Sequence, residues 1–468
     1  MRFYHLGAHE LWYDEIFTVS YARFPWGNWN APLYGIFLHY WTQLWGFSEV
    51  SLRFPSLLFS FFSVVLVYLL GKEIFDQKTA VIGAFLMGLS PFHLWYAQEA
   101  RDYSMVLFIG LLSSFCFSRA LKEKKTKIWI SFVLISLTGF YTNYFYIFLF
   151  IAQTLYFLFI KRRKLSLKEA IYFLMPALGF VLYLPRFLHK FLTVKKGFWV
   201  PVPMGQSLRV TLENFVLGYH GSALLYLIAD MAVLLLFVCA GAAVYRKKEQ
   251  RAGLFFCLFL FLLPLLAVFA FSKLFFSVYL DRGLIIFSPY FYLILSWGVT
   301  ALRGVKRTGA LFGLIGILLI SNFRYSQDLM YPPEIHHRGT YTKKPVKPAA
   351  GFIENHIEPG DIIAFTNESI LSPFEYYSGM FPCYYFFDPG IPDTSWQRPV
   401  DEDAHTIPLA KIPGLKFKKL WVLASDWGRT GKLCGNSQSV LKWCAENLKL
   451  ELSCEVDGLW MGRYARNE

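Results

Sequence analysis

Two adjacent acids, Asp14 and Glu15, stand among aromatics in Leu11-Trp12-Tyr13-Asp14-Glu15, near the start of a mostly apolar chain. Acids and arginines recur in similar company further along. Glu99 and Arg101 fall within Tyr96-Ala97-Gln98-Glu99-Ala100-Arg101-Asp102-Tyr103, and Arg282 follows Tyr279-Leu280-Asp281. A carboxylate can take the proton of a hydroxyl, and a guanidinium fork can hold phosphate oxygens in pairs. These groups therefore suit attack by an activated hydroxyl on a centre whose leaving group is a phosphate. Each has a plainer reading when taken alone. Asp14-Glu15 reads as a wet loop end with a capping acid, and Arg282 as an interfacial anchor. Glu99 and Arg101 lie two apart, poorly spaced to pair on a helix, but either fits a structural pair with another loop. Arg53 reads as a snorkelling or structural side chain, His93 as an interfacial hydrogen-bonding residue and His39 as structural.

Their placement decides between these readings. The chain has 468 residues, of which 55% are hydrophobic, 19% aromatic and 17% charged, with a mean hydropathy of +0.40. Soluble domains average about a quarter charged residues, so this composition indicates a membrane protein. The net charge of +14 comes largely from short basic clusters between apolar runs, which set topology, so nucleic acid is excluded as a partner. Apolar runs near 52–71, 79–95, 103–121, 127–141, 143–160, 169–188, 223–245, 253–272, 284–302 and 308–322 predict about ten spans. Residues 32–47, rich in Trp and Tyr, suit a helix lying in the interface. Lys72/Lys78, Lys122/Lys124/Lys125/Lys127, Lys161-Arg162-Arg163-Lys164, Arg246-Lys247-Lys248/Arg251 and Arg303/Lys306/Arg307 occupy every second loop. By the positive-inside rule those loops are cytoplasmic and both termini are outside. The remaining loops, at 1–51, 95–103, 189–222 and 273–283, then share the external side with every acid and arginine singled out above. Span interiors are nearly free of acids, with Asp230 the exception.

After residue 325 the composition changes. Pro332-Pro333, His336-His337-Arg338 and Lys343-Lys344 mark a linker over 326–346, and 347–468 reads as a small α/β domain. Helices are expected at 351–356 and 438–448, with strands at 361–365 and 420–424 and strand character from Leu450 onward. Cys116, Cys239 and Cys257 fall in apolar runs as small hydrophobes. Cys383, Cys434, Cys444 and Cys454 lie in the polar tail, where one or two disulfides would be compatible with an external location. Asn367-Glu368-Ser369 matches a glycosylation acceptor. No metal-type cysteine spacing and no glycine-rich phosphate loop occurs.

Nucleotide sugars and ATP are cytoplasmic, so a transferase working outside must use a donor already carried across on a lipid. A sugar on a polyprenyl phosphate is such a donor. Transfer from it needs a base for the acceptor hydroxyl, here Asp14, and cations for the departing phosphate, here Arg101 and Arg282.

The order of motifs also resembles a known family. Leu11-Trp12-Tyr13-Asp14-Glu15, Ala31-Pro32-Leu33-Tyr34, Arg53-Phe54-Pro55-Ser56 and Ser90-Pro91-Phe92-His93 are followed by the block at 96–103. Thr142-Asn143-Tyr144-Phe145 comes next, then Arg282 ahead of Phe287-Ser288-Pro289. Over roughly residues 3–325 this is similar to glycosyltransferase family 39 and its GT-C relatives, which include protein O-mannosyltransferases and the aminoarabinose transferase of lipid A. The tail resembles, more loosely, the extracytoplasmic C-terminal domains of bacterial members. The resemblance implies inverting transfer from a polyprenyl-phosphate sugar, with Asp14 essential and Glu15 its neighbour. It also implies that Glu99 and Arg101 fill the acidic and basic positions of the second external loop and that Arg282 approaches the lipid phosphate. Tyr13, Asn30, Tyr96, Gln98, Tyr103 and Asn143 are candidate substrate contacts on the same basis. Two departures are visible. The family usually has a cytoplasmic N-terminus and a first span ahead of the Asp-Glu loop, and it often has His or Lys before Pro-Pro where this chain has Asn30-Ala31-Pro32.

The expectation is a polytopic α-helical membrane protein of GT-C type over 1–325, carrying a small extracytoplasmic α/β domain, in a bacterial plasma membrane. Its partners would be a polyprenyl-phosphate sugar, membrane lipids and a lipid, glycan or protein acceptor. No cofactor is marked by the sequence; a divalent ion at Asp14, Glu15 and Glu99 would suit the chemistry, without any ligand spacing to mark it. The competing classes are a lipid or polysaccharide transporter, which should carry ionisable groups at midplane, and a non-catalytic membrane scaffold.

Overall fold

The computed structural model describes residues 2–25, 31–160, 166–195, 200–327, 345–378, 381–390, 406–425, 435–456 and 458–467, with Leu329 and Leu433 between them. The chain divides into two compact units, Met1–Leu6 with Tyr21–Gly339, and Gly7–Ser20 with Thr340–Glu468. Its helices run α1 (Tyr13–Arg23), α2 (Leu33–Trp45), α3 (Glu49–Ile74), α4 (Gln77–Leu89), α5 (Pro91–Ala97), α6 (Tyr103–Glu123), α7 (Thr126–Thr142) and α8 (Tyr146–Leu155). They continue as α9 (Leu167–Val181), α10 (Leu184–Lys195), α11 (Gly205–Leu217), α12 (Ala223–Arg246), α13 (Arg251–Leu274), α14 (Asp281–Leu284), α15 (Ser288–Ala301) and α16 (Gly304–Ser326).

In the first unit every apolar run expected to span lies on a helix. Among the described residues six helical segments, Asp281–Ala301 counted as one, are long and apolar enough to cross a membrane, and α4 with α5 makes a seventh if counted as one span. This is fewer than the ten expected, because the runs at 127–141 and 143–160 lie on shorter apolar helices. The chain is a multi-pass membrane protein. The run at 79–95 is not one straight helix, because it bends by 61° between α4 and α5. Ser90 there is extended (φ −62°, ψ 124°) and Pro91 begins the next helix, so the backbone ladder is interrupted where proline has no N–H to donate. The 189–222 stretch likewise contains α11 and the end of α10 rather than open loop.

Helix α6 packs against α3 and α7, and α15 packs against α4 and α12. Buried hydroxyls and an amide tie the interior together. The Tyr146 hydroxyl lies 2.7 Å from that of Ser113 and 3.0 Å from that of Ser136, donating to one and accepting from the other, while Gln153 donates to Ser114 at 2.9 Å. Polar links of this kind hold helices whose apolar surfaces are matched by lipid tails.

The loops sort to two ends of this unit. At one end Lys122 pairs with Glu73 at 2.8 Å, Gln250 donates to Asp76 at 2.9 Å and Lys247 donates to Thr300 at 3.1 Å. At the other, Arg53 donates to the Leu6 carbonyl at 2.9 Å, Gln98 donates to the Tyr4 carbonyl at 2.7 Å, and Asn143 donates to Asp102 at 2.9 Å.

The second unit is built on a six-stranded sheet: β1 (Ile362–Phe365), β2 (Cys383–Phe387), β3 (Thr406–Pro408), β4 (Lys419–Ser425), β5 (Leu448–Val456) and β6 (Leu459–Arg466), in the order β3-β2-β1-β4-β6-β5. The first four strands in that order are parallel, and β6 and β5 close the edge antiparallel. Parallel pairing requires crossovers. Helices α17 (Val346–Glu354), α18 (Glu368–Ser378) and α19 (Gly435–Asn447) complete the layers. Strand alternation sends Ile363 and Phe365 to a core with α17 and α18, and Ile362 and Ala364 to a core with α19. Composition alone did not reveal α18, β2 or β3, while the strand character expected from Leu450 onward is resolved into β5 and β6.

Cys383 and Cys444 fall in opposite cores, and Cys454 packs with the Cys383 side. All three are free thiols. Burial pushes the Cys383 and Cys444 thiols up to about 12. The sheet separates Cys444 from the other two, and Cys383 and Cys454 lie on the same side as thiols; Cys434 lies outside the described residues. The glycosylation motif is also structural. Asn367 is buried, and its Oδ1 accepts from the Ser369 backbone N–H at 2.9 Å and hydroxyl at 2.8 Å.

Candidate functional site

Asp14 and Glu15 occupy the first turn of α1, where the N-terminal end of the helix dipole favours negative charge. Both side chains are buried. The Trp12 backbone N–H donates to Glu15 Oε2 at 3.3 Å, the reach-back half of a capping box. One oxygen of Glu15 therefore caps the helix. Tyr13 stacks edge-on against Phe17 at 4.8 Å, and the Leu11 N–H donates to the Tyr377 hydroxyl at 2.8 Å. The capping reading of this pair thus describes Glu15, while Asp14 sits beside it with its backbone carbonyl accepting from Thr18 at 3.2 Å.

The second constellation lies in the first unit, at the α5–α6 turn. Glu99 is buried, and its Oε1 accepts from the Trp95 indole at 2.6 Å. Arg101 N–H bonds the Glu99 carbonyl at 2.8 Å, closing a tight turn. The Tyr103 ring has the Arg101 guanidinium 5.5 Å from its centroid and the Arg282 guanidinium 5.9 Å from the same centroid. Residues 181 positions apart in sequence thus converge on one aromatic ring. Each cation–π contact is favourable by roughly 0.5–2 kcal/mol, while two guanidiniums brought to one ring repel each other. The Asp102 carboxyl lies within electrostatic reach of both guanidiniums.

Other proposed contacts are partly committed to structure. Asn143 spans two groups, donating to Asp102 at 2.9 Å and accepting from the Phe145 N–H at 2.9 Å. Gln98 donates to the Arg2 carbonyl at 3.1 Å as well as to Tyr4, and accepts from the Tyr325 hydroxyl at 2.5 Å. The Tyr96 hydroxyl lies 2.6 Å from that of Tyr219. Burial, reinforced by Asp281 and Glu99 nearby, holds the Tyr219 phenol well above its ordinary range, so it stays a neutral donor. The protein around Asp102 pushes its carboxyl up against the opposing pull of Arg101 and Asn143. Asn30 lies outside the described residues.

Arg53, His93 and His39 are structural. Arg53 is buried on the Leu6 carbonyl. His93 is buried rather than interfacial, with Nε2 2.9 Å from the Ser288 hydroxyl, and His39 Nδ1 lies 2.6 Å from the Ala22 carbonyl. Asp230 is bound by Arg209 at 2.8 Å, and Arg209 also pairs with Glu213 at 2.9 Å. Among the described residues no group of three or more His, Cys, Asp or Glu is arranged to hold a metal ion.

Sequence reasoning overlooked three partners: Tyr219, Thr211 and Asn214. Asp281 is buried beside Arg282. Its Oδ1 accepts from Thr211 at 2.5 Å and its Oδ2 from Asn214 at 2.6 Å. The i, i+3 spacing of Thr211 and Asn214 was the available signal; it was hidden in a stretch read as variable loop.

The family model described as dolichyl-phosphate-mannose-protein mannosyltransferase matches residues 30–189, 160 of the 468 residues. No curated protein matches the chain by sequence. Among solved structures, ArnT from Cupriavidus metallidurans bound to undecaprenyl phosphate is similar at 11% identity and a TM-score of 0.62, with 99% of this chain and 95% of that one covered. The same protein in its apo state gives a TM-score of 0.59 at 11% identity, with the same coverage. By the family match over residues 30–189 and by fold over nearly its whole length, the chain is similar to the GT-C membrane glycosyltransferases, as the order of its motifs led us to expect.

Proposed function

We propose that this protein transfers a sugar from a polyprenyl-phosphate-linked donor to a hydroxyl of a lipid, glycan or protein acceptor on the outer face of a bacterial plasma membrane, with inversion. The observation that carries the reading is the pair of guanidiniums, Arg101 and Arg282, on the Tyr103 ring. Two held cations suit a phosphate whose negative charge grows as the glycosidic bond breaks. The fold is shared with an ArnT crystallised with undecaprenyl phosphate, which supports a donor of that class.

Roles are assigned residue by residue. Asp14 is the general base that takes the acceptor proton, and Glu15 fixes the helix turn that presents it. Arg101 and Arg282 hold the phosphate. Glu99, anchored by Trp95, orders the turn that carries Arg101. Residues 1–325 form the membrane catalytic domain, 326–346 a linker and 347–468 an extracytoplasmic domain; the lysine-bearing loops face the cytoplasm. The scaffold reading would not need Asp14 to ionise, and this separates the two. Full-length protein supplied with labelled polyprenyl-phosphate sugars and membrane extracts should transfer label, and Asp14→Asn should lower transfer by about 10²–10⁴-fold. Equal transfer by both would reject Asp14 as base.

A further inference from the structure

We infer that α11 is the brace that positions Arg282 for phosphate, acting through a Thr211–Asn214 grip on the Asp281 carboxylate. The inference rests on the phosphate role proposed above for Arg282.

Arg282 sits at the second position of α14, in the first turn of a helical segment that continues through Ile285–Phe287 into α15, where the backbone N–H groups have no intrahelical partners. What holds this turn is the residue before it. Both Asp281 oxygens are engaged from α11, by the Thr211 hydroxyl at 2.5 Å and the Asn214 amide at 2.6 Å. Thr211 has one proton and two acceptors in reach, Asp281 Oδ1 at 2.5 Å and the Ser207 carbonyl at 3.0 Å, so the Tyr279 hydroxyl, 2.9 Å from Thr211 Oγ1, is the donor to Thr211. The segment entering α14 and the first residue of α14 are therefore tied to α11, at Tyr279 and Asp281. Such charge-assisted bonds to a buried carboxylate are about twice as strong as neutral ones.

One turn further on, the same helix grips the other half of the cluster. The Phe215 carbonyl accepts from Ser90 at 2.9 Å and also from Tyr292. Gly218 ends α11 with φ +59°, and a Cβ there would lie 3.1 Å from the Phe92 nitrogen. Ser90 and Phe92 start α5, the helix that runs into Glu99 and Arg101. A single helix therefore holds both the Arg282 turn and the origin of the Arg101 turn, and so sets the separation of the two guanidiniums across Tyr103.

The test measures a ratio, because a merely structural defect lowers both of its components alike. Full-length protein in detergent is titrated with undecaprenyl phosphate and with undecaprenol, which lacks the phosphate. Wild type should prefer the phosphate. Asn214→Asp sets carboxylate against carboxylate and should cut that preference about tenfold. The exchange Asn214→Asp/Asp281→Asn restores one amide–carboxylate bond and should recover most of it. Thr211→Val, which keeps shape and removes one donor, should cut the preference by a few-fold and decides the matter if Asn214→Asp does not fold. Arg282→Ala is run alongside. Loss of preference in Arg282→Ala with full retention in Asn214→Asp or Thr211→Val overturns the brace alone. Retention in Arg282→Ala overturns the phosphate role and the brace with it.

Discussion

The two ends of the helical unit use charge in opposite ways. At the lysine-bearing end, ions meet in exposed pairs such as Lys122 with Glu73 and Lys125 with Glu123, both at 2.8 Å. Pairs of this kind contribute little, since water screens them and long side chains lose freedom to form them. At the other end, Glu99, Asp281 and Arg53 are buried, and their polar atoms are fixed by indole, amide, hydroxyl and backbone groups. Burying a charge is expensive unless it is paired or hydrogen-bonded. A membrane protein uses the first kind of charge for orientation; the second persists where each buried group has hydrogen-bonding partners, whether its role is structural, as for Arg53, or chemical.

The comparison is open to test, and the largest effect is expected from the cations. Arg282→Ala should lower transfer by about 10²-fold or more, with Arg282→Lys recovering only part of it, because an ammonium is a point charge without the fork. Lys122→Ala, at the opposite end, should leave turnover within about twofold in the same labelled-sugar assay. A large loss from Lys122→Ala would erase the distinction between the ends.

Two glycines give the next contrast. At the lysine end a Cβ on Gly253 would lie 2.2 Å from the Ile74 carbonyl. At the other end Gly218 combines positive φ with a close approach to Phe92. Alanine at either should cost about 1–3 kcal/mol of stability through strain or forced backbone shift. Melting temperature should fall in both variants, but the activity of the protein that remains folded should fall only in Gly218→Ala. An equal loss of activity in Gly253→Ala would contradict the separation.

The smallest effect concerns Asp102, whose carboxyl is held above the usual range by its surroundings. A raised folded-state value means the protonated form is favoured in the folded protein. That contribution is complete below the ordinary carboxyl value of about 4 and is lost as pH rises through the raised one. Asp102→Asn should therefore flatten this part of the stability profile and melt slightly higher than wild type at neutral pH. Melts between pH 4 and 8 would show it, and a wild-type profile that rises with pH across this window only when Asp102 is present would reverse the assignment.

Several of these features are legible in the chain itself. Apolar runs located the helices, because a lipid interior admits no unsatisfied backbone and leaves the chain little choice. Basic clusters in alternate loops sorted the ends. Asp14, Glu99, Arg101 and Arg282 stood out because charge is rare in such a chain. Other features depended on distance in three dimensions. The break at Ser90 could be suspected from Pro91, but its 61° angle follows from what α4 and α5 pack against. Asn143 and Gln98 looked like substrate contacts because they are polar residues in motifs; their hydrogen bonds to Asp102, Tyr4 and Tyr325 show what else they hold. In the tail, the four cysteines invited disulfides, and only the sheet between Cys383 and Cys444 shows why those thiols are core residues.

The sequence alone determined where the apolar helices lie and which charged side chains stand out among them, since both follow from local composition and hydrophobic length. Tertiary structure alone decided that Arg101 and Arg282 meet on Tyr103, and that Thr211 and Asn214 hold the turn that brings Arg282 there. Those partners are far apart in sequence. Their meeting depends on how α11 packs against α5 and the start of α14, and no local pattern encodes such a distance.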